Sequence, residues 1–142
     1  MSSFQSENAP KPVGSYPHAK RVNDLLFLSG VGPRQAGSDN NDSEVPGLEV
    51  NANGHFVTLD FEAQVHSVFA NVKAILEASG SKWENLVDIT VFLVDMKRDF
   101  LTFNRIYAEY FTDNQPCRTT IEINALPTPI AIELKCIATI DD

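Results

Sequence analysis

Two hydrophobic periods divide the chain into its elements. From Phe61 to Ser79 the apolar residues Val65, Val68, Phe69, Val72, Ile75 and Leu76 recur at helical spacing. This predicts an amphipathic helix with Asp60 as N-cap and Gly80 as its stop. A second helix is predicted from Arg98 to Phe111, with Phe100, Phe103, Ile106, Tyr107 and Tyr110 on one side. Between them Val87, Ile89, Val91 and Leu93 alternate with Asp88, Thr90 and Phe92, the period of a strand with one more polar face. The longest alternation runs from Ile130 to Ile140. Ile130, Ile132, Leu134, Cys136, Ala138 and Ile140 share one face, and Glu133 and Lys135 point to the other, which must meet solvent, a partner subunit or a ligand.

The remaining segments are shorter. Ser2 to Ser15 carries Pro10, Pro12 and Gly14 among polar residues and is expected to run as an extended arm, with regular structure beginning after it. Ala19–Val22 and Leu25–Val31 suit two strands joined by turn chemistry at Asn23-Asp24. Residues 32–56 read as a long surface loop, because Gly37 to Ser43 is too polar to contribute core. Asn53-Gly54 then suits a tight turn ahead of a short strand, His55–Leu59, that leads into the first helix. Arg118–Ile123 is a further strand, parted from the last by Pro127 and Pro129, which cannot donate to a ladder. The main order is strand, strand, helix, strand, helix, strand, strand, which predicts an α+β class.

Composition narrows the function classes. A chain of 142 residues and 15.7 kDa fits one domain spanning 1–142, and 43% hydrophobic with 21% charged residues is ordinary globular usage. A net charge of −8 repels phosphate backbones and anionic lipid, so neither nucleic acid nor membrane is expected as a partner. No run of eighteen apolar residues occurs, and Met1 to Ser15 lacks the basic end and apolar stretch of a secretory signal, which leads to a cytoplasmic expectation. Cys117 and Cys136 are too far apart for a Cys-x-x-Cys site and read as free thiols.

Few chemical motifs survive inspection. Gly30-Val31-Gly32-Pro33-Arg34-Gln35 begins like a dinucleotide fingerprint, but it lacks the third glycine, includes Pro33, and opens no clear helix. His18, His55 and His66 fall on different elements without metal-ligand spacing, so no metal site is expected. Arg118 and Glu133 are the candidates that remain. Arg118 opens a strand and shares its face with Thr120 and Glu122, and a guanidinium fork matches a carboxylate in bidentate fashion. Glu133, if partly buried near a substrate, could orient and activate water. The two are expected on one polar face that a single small domain does not cover.

The chain also resembles a known family. Val13-Gly14-Ser15-Tyr16, Phe27-Leu28-Ser29-Gly30, the helix segment Asn71 to Leu76, and Pro116-Cys117-Arg118-Thr119-Thr120-Ile121-Glu122 followed by Leu126-Pro127 and Ile132-Glu133 are similar to the YjgF/RidA family of enamine and imine deaminases. The resemblance runs from about the tenth residue to the end, and the arginine strand with its downstream Leu-Pro and Ile-Glu is its most specific part. It implies a chorismate-mutase-like fold, a mixed sheet packed against two helices, and a homotrimer or dimer of trimers with sites between subunits. It further implies that Arg118 binds the substrate carboxylate and Glu133 handles water. Tyr16, Ser29, Gly30, Asn104 and Thr120 would line the pocket, and no cofactor or metal is implied.

There are departures from the family pattern. Val31 replaces the usual glutamine after Ser-Gly, Thr120 replaces a frequent cysteine, and the 32–56 loop is longer than in the ordinary member. With Ser29 to Gln35 and the Pro10 to Lys20 stretch, these features resemble the branch that deaminates 2-aminomuconate to 2-oxohex-3-enedioate and ammonia in aromatic-amine catabolism. On that reading Arg34, otherwise a solvated loop charge, receives the distal carboxylate of a small dicarboxylate substrate. A general deaminase of 2-iminopropionate-like imines, and a non-enzymatic or holdase-like binder of small carboxylates, are the alternatives.

Overall fold

Strands β6 (Leu86–Leu93) and β8 (Ile132–Thr139) form the centre of the structure, and their alternation decides which face becomes core. In this computed structural model, which describes residues 1–37 and 45–141, they pair antiparallel with Val91 opposite Leu134 and Ile89 opposite Cys136. Ile132, Leu134, Cys136 and Ala138 are fully buried, as the alternation predicts. Val87 departs from it. The β6–β8 register shifts between Leu86 and Asp88, so Leu86 takes the core position and Val87 is 40% exposed.

β7 (Cys117–Glu122) lies parallel to β6 on one flank, reached by the crossover helix α2 (Met96–Tyr110). On the other flank β3 (Leu25–Leu28) pairs with β8, β2 (Ala19–Val22) with β3, and β1 (Ser2–Phe4) with β2. The sheet order is β1-β2-β3-β8-β6-β7. Regular structure therefore begins earlier than expected, because Ser2–Phe4 of the arm pairs along the edge. Leu48–Val50 (β4) pairs with Phe56–Leu59 (β5), giving the expected loop a strand at its end. The joining turn is wider than Asn53-Gly54 alone. The Asn51 side chain accepts from the N–H groups of Asn53 and His55, and Gly54 supplies the positive φ of 81°. Residues 38–44, the polar centre of that loop, and residue 142 lie outside the described residues.

α1 (Phe61–Ala78) is capped as its sequence predicts. The Asp60 carboxylate accepts from the Ala63 N–H at 3.0 Å, and Gly80 has a φ of 84°. α2 starts two residues before the expected position because Asp95 caps it, accepting from the Arg98 N–H at 3.0 Å. Both helices cover the same face of the sheet. Phe69 of α1 is wholly buried there against Phe103, Tyr107 and Tyr110 of α2, with Trp83 and Phe111 completing the cluster. No helix among the described residues is long and apolar enough to cross a membrane.

Candidate active site

The end of β3 turns against β8 and opens a cleft. Val31 and Leu134 exchange backbone hydrogen bonds of 2.8 and 2.9 Å, which sets Gly30 beside Glu133. A Cβ on Gly30 would stand 2.9 Å from Glu133 Oε2, so only glycine leaves the carboxylate its place. Ser29, whose Oγ donates to the Pro17 carbonyl at 2.7 Å, lines the same cleft of about 190 Å³. Burial holds the Glu133 carboxyl above the ordinary carboxylate range. A carboxylate short of water and lying against an opening is suited to take a proton from a captured water molecule.

The opposite wall belongs to the arm. Pro10 to Val13 and Tyr16 line it, and the Tyr16 hydroxyl accepts from the Val13 N–H at 3.2 Å. Arg34 is 7% exposed and borders the cleft, so the solvated reading of this residue is corrected. Its burial comes from α1. Asn71 Nδ2 donates to the Gly32 and Arg34 carbonyls at 2.9 and 2.7 Å, and Ser67 Oγ donates to the Pro33 carbonyl at 2.7 Å, pinning the loop inward. Arg34 Nη2 in turn donates to the Lys11 carbonyl at 2.7 Å, joining the loop to the arm.

Arg118 lies elsewhere. The β6–β7 register places it opposite Ile89 and Thr120 opposite Val91, on the helix-covered face, whereas Glu133 lies opposite Phe92 on the other face. The expectation that Arg118 and Glu133 share one face of one chain is therefore wrong. The parity of each strand is legible, but the relation between the two parities depends on a register that no pattern within either strand encodes. Arg118 Nη2 donates to Asn104 Oδ1 at 2.6 Å, and its guanidinium lies 4.7 Å from the Tyr107 ring centroid and 5.4 Å from that of Phe103. Thr120 follows on the same strand face. Its Oγ1 and the Tyr107 hydroxyl are buried without a hydrogen-bond partner.

The eight expected site residues thus form two groups: Tyr16, Ser29, Gly30, Arg34 and Glu133 around the cleft, and Asn104, Arg118 and Thr120 beside α2. Sequence reasoning missed two residues. Tyr107 follows Asn104 by one helical turn, a spacing that marks it as a neighbour, and burial pushes its phenol up to about 12 against the opposing pull of Arg118. His18 also lines the cleft, whereas from the sequence it is weighed only as a metal ligand. Cys136 is fully buried and its thiol is pushed up to about 12, so it is not a nucleophile near neutral pH. Among the described residues no three His, Cys, Asp or Glu side chains gather as a metal site.

Comparison with known proteins gives a consistent set. The profile of the family described as Endoribonuclease L-PSP matches residues 6–140. A RutC family protein of Pyrococcus horikoshii is 36% identical over 133 residues, covering 94% of this chain and 93% of that protein. The chloroplastic Reactive Intermediate Deaminase A of Arabidopsis thaliana is 38% identical over 95% of this chain and 64% of its own length. Among solved structures, the YjgF gene product of E. coli superposes with a TM-score of 0.81 at 32% identity, covering 98% of both chains. E. coli TdcF with bound serine gives 0.82 at 25% identity, covering 99% of this chain and all of that one.

Proposed function

The chain belongs to the YjgF/RidA family, whose profile carries the Endoribonuclease L-PSP description, and from that membership we propose that it is a hydrolytic deaminase of small enamines and imines; on the residue pattern of 29–35 and the place of Arg34 we propose 2-aminomuconate as its substrate. The observation that carries the chemical part is the desolvated Glu133 carboxylate held against Gly30 in an open cleft. An imine carbon is already electrophilic, so placing water against it supplies much of the rate. Glu133 takes a proton from that water as its oxygen bonds to carbon. Glu133 passes that proton to the nitrogen, giving a carbinolamine; the hydroxyl proton then moves to the nitrogen by the same carboxylate as the C–N bond breaks, and ammonia leaves a 2-oxo acid. The carboxylate next to the imine needs a cation, and Arg118 with its face against aromatic rings has a fork suited to it.

Arg118 and Glu133 lie on opposite faces of one sheet, so a complete site on this reading needs two copies. The helix-free face carries Ile121 at 39% exposure as a surface through which copies can pack, and the family resemblance makes the proposed assembly a homotrimer or a dimer of trimers. Arg34 supports the choice of a diacid, since beside Lys11 it places a buried guanidinium by the cleft of an acidic protein. The same net charge of −8 does not favour RNA.

The test is ammonia release from freshly generated 2-aminomuconate and from 2-iminopropionate, together with light scattering at micromolar concentration. The proposal expects many turnovers per chain, a preference for the diacid and a multiple of three chains. Release no greater than the protein present would make it a binder. Equal rates on both substrates would make it a general imine deaminase, and a monomer would remove the shared site.

A further inference from the structure

Both ring nitrogens of His18 are taken by the arm that walls the cleft. Nδ1 receives the Ser6 N–H at 2.8 Å, and Nε2 lies 2.7 Å from the Pro10 carbonyl. A backbone N–H only donates and a carbonyl only accepts, so these partners leave one consistent state: a neutral imidazole with its proton on Nε2. His18 is 7% exposed, so water does not readily replace either partner. The ring therefore closes a loop from Ser6 to Pro10. The next residues, Lys11, Pro12 and Val13, line the cleft with Glu133.

The arm has other attachments. Phe4 is held in the sheet edge, and its carbonyl accepts from the His18 N–H at 3.1 Å. Arg34 holds Lys11 by its carbonyl. Between those points, Ser6 Oγ reaches the Ala74 carbonyl at a long 3.4 Å. Ala9, 4% exposed, adds an apolar anchor in the core, and His18 is the side chain that ties the segment at two points by hydrogen bonds. A proton added at Nδ1 would turn an acceptor into a donor facing the Ser6 N–H, breaking one bond and setting two donors against each other.

We propose that neutral His18 is a positioning residue that holds the Ser6–Val13 wall of the cleft, and that its protonation releases this wall while the sheet and helices stay folded. The consequence for catalysis rests on the deaminase reading; the movement of the wall does not. The other charged and titratable groups on the cleft are Lys11, Tyr16 and Arg34 from the arm side and loop, and Glu133 from β8, with Glu7 inside the tethered loop. Of these, Glu133 brings an acid-side change of its own, so the test must separate that change from the movement of the wall.

A His18→Gln variant does so. A glutamine amide can accept from the Ser6 N–H and donate to the Pro10 carbonyl, the same two bonds without the proton switch. Amide hydrogen exchange of the intact protein, corrected for intrinsic rates, reads the wall directly, and nitrogen shifts in NMR read the His18 tautomer. The expected result is an Nε2–H tautomer at neutral pH. Between about pH 8 and an acid pH at which the nitrogen shifts report a second proton on His18, Ser6 protection should fall at least tenfold in the wild type. It should stay level in His18→Gln and be lost at both pH values in His18→Leu. In the assay, KM on the imine should rise at acid pH in the wild type only, while the acid fall in kcat from Glu133 stays in both proteins. An Nδ1–H tautomer, Ser6 protection that ignores pH, or a Gln variant that behaves like Leu would overturn the proposal. A wall that moves as described in a protein releasing no ammonia would leave this proposal standing and remove the deaminase reading.

Discussion

Gly30 and Glu133 are fitted to one another across two strands: the missing side chain at the first leaves the space that the carboxylate of the second occupies, 2.9 Å from where a Cβ would be. The atom in the way is the far end of a flexible side chain, so Gly30→Ala should fold with little loss of stability and turn the Glu133 carboxylate out of its place. We expect kcat to fall at least tenfold with a melting temperature within a few degrees of wild type. Unchanged kcat would show that the position of this carboxylate does not matter for catalysis.

The raised Glu133 pKa gives a pH signature. Burial favours the protonated form, so the folded-state value lies above the ordinary 4.5. The protonated side chain's contribution to stability is therefore full below the unfolded value and is lost as pH rises through the folded one. Glu133→Gln cannot ionise. It should melt higher than wild type at neutral pH, with the gap closing below about pH 4.5. Its kcat should fall by about 10² or more, because the base is gone. In the wild type, the acid limb of kcat should lie above the usual carboxylate range. Thermal melts across pH 4 to 8 and a pH–rate profile check both halves.

Arg118 rests on an aromatic platform, and the platform and its hydroxyl separate cleanly. Tyr107→Phe keeps the ring under the guanidinium and removes a buried hydroxyl that has no partner, so stability should hold or rise and KM should stay near wild type. Tyr107→Leu removes the ring and should raise KM several-fold, with a smaller change in kcat. Arg118→Ala should lose most of the activity, about a hundredfold in kcat/KM, while chain association persists. If Tyr107→Phe proves as damaging as Arg118→Ala, the hydroxyl and not the ring is the working part.

What the sequence disclosed follows from how local each signal is. α1 and the buried faces of β6 and β8 repeat a period over many residues, and Asp60 and Gly80 mark their helix in place. β1 and β4 are three residues each, too short for any period, and exist because a neighbouring strand receives them. Val87 was misplaced by a bulge that shifts the β6–β8 register. Eight candidate side chains were named from residue type and family resemblance, whereas Tyr107 and His18 were not among them. That Arg118 and Glu133 fall on opposite faces was not legible, because the parity of one strand says nothing of another until both are in register. The burial of Arg34 was equally hidden, since it depends on Asn71 and Ser67 more than thirty residues away.

Arg34 is the residue on which the proposed choice of substrate can be tested. It borders the cleft on the arm side, buried and tied to the Lys11 carbonyl, so its side chain both shapes the wall and carries charge there. Those two effects differ by substrate. Loss of the tie to Lys11 disturbs the wall and should weaken any imine acid alike, whereas loss of the charge should affect only a substrate with a second carboxylate. The proposed diacid has one; 2-iminopropionate does not. Arg34→Lys keeps a cation but loses the planar fork, and Arg34→Gln keeps hydrogen-bond donors but loses the charge. We expect Arg34→Gln to raise KM on 2-aminomuconate about tenfold more than on 2-iminopropionate, with kcat changed much less on either. Arg34→Lys should fall between that variant and wild type. Steady-state kinetics on both substrates, with the ratio of the two KM changes as the readout, makes the comparison independent of any general damage to the wall. Equal losses on both substrates would assign Arg34 to the architecture of the arm and leave the second carboxylate to another group.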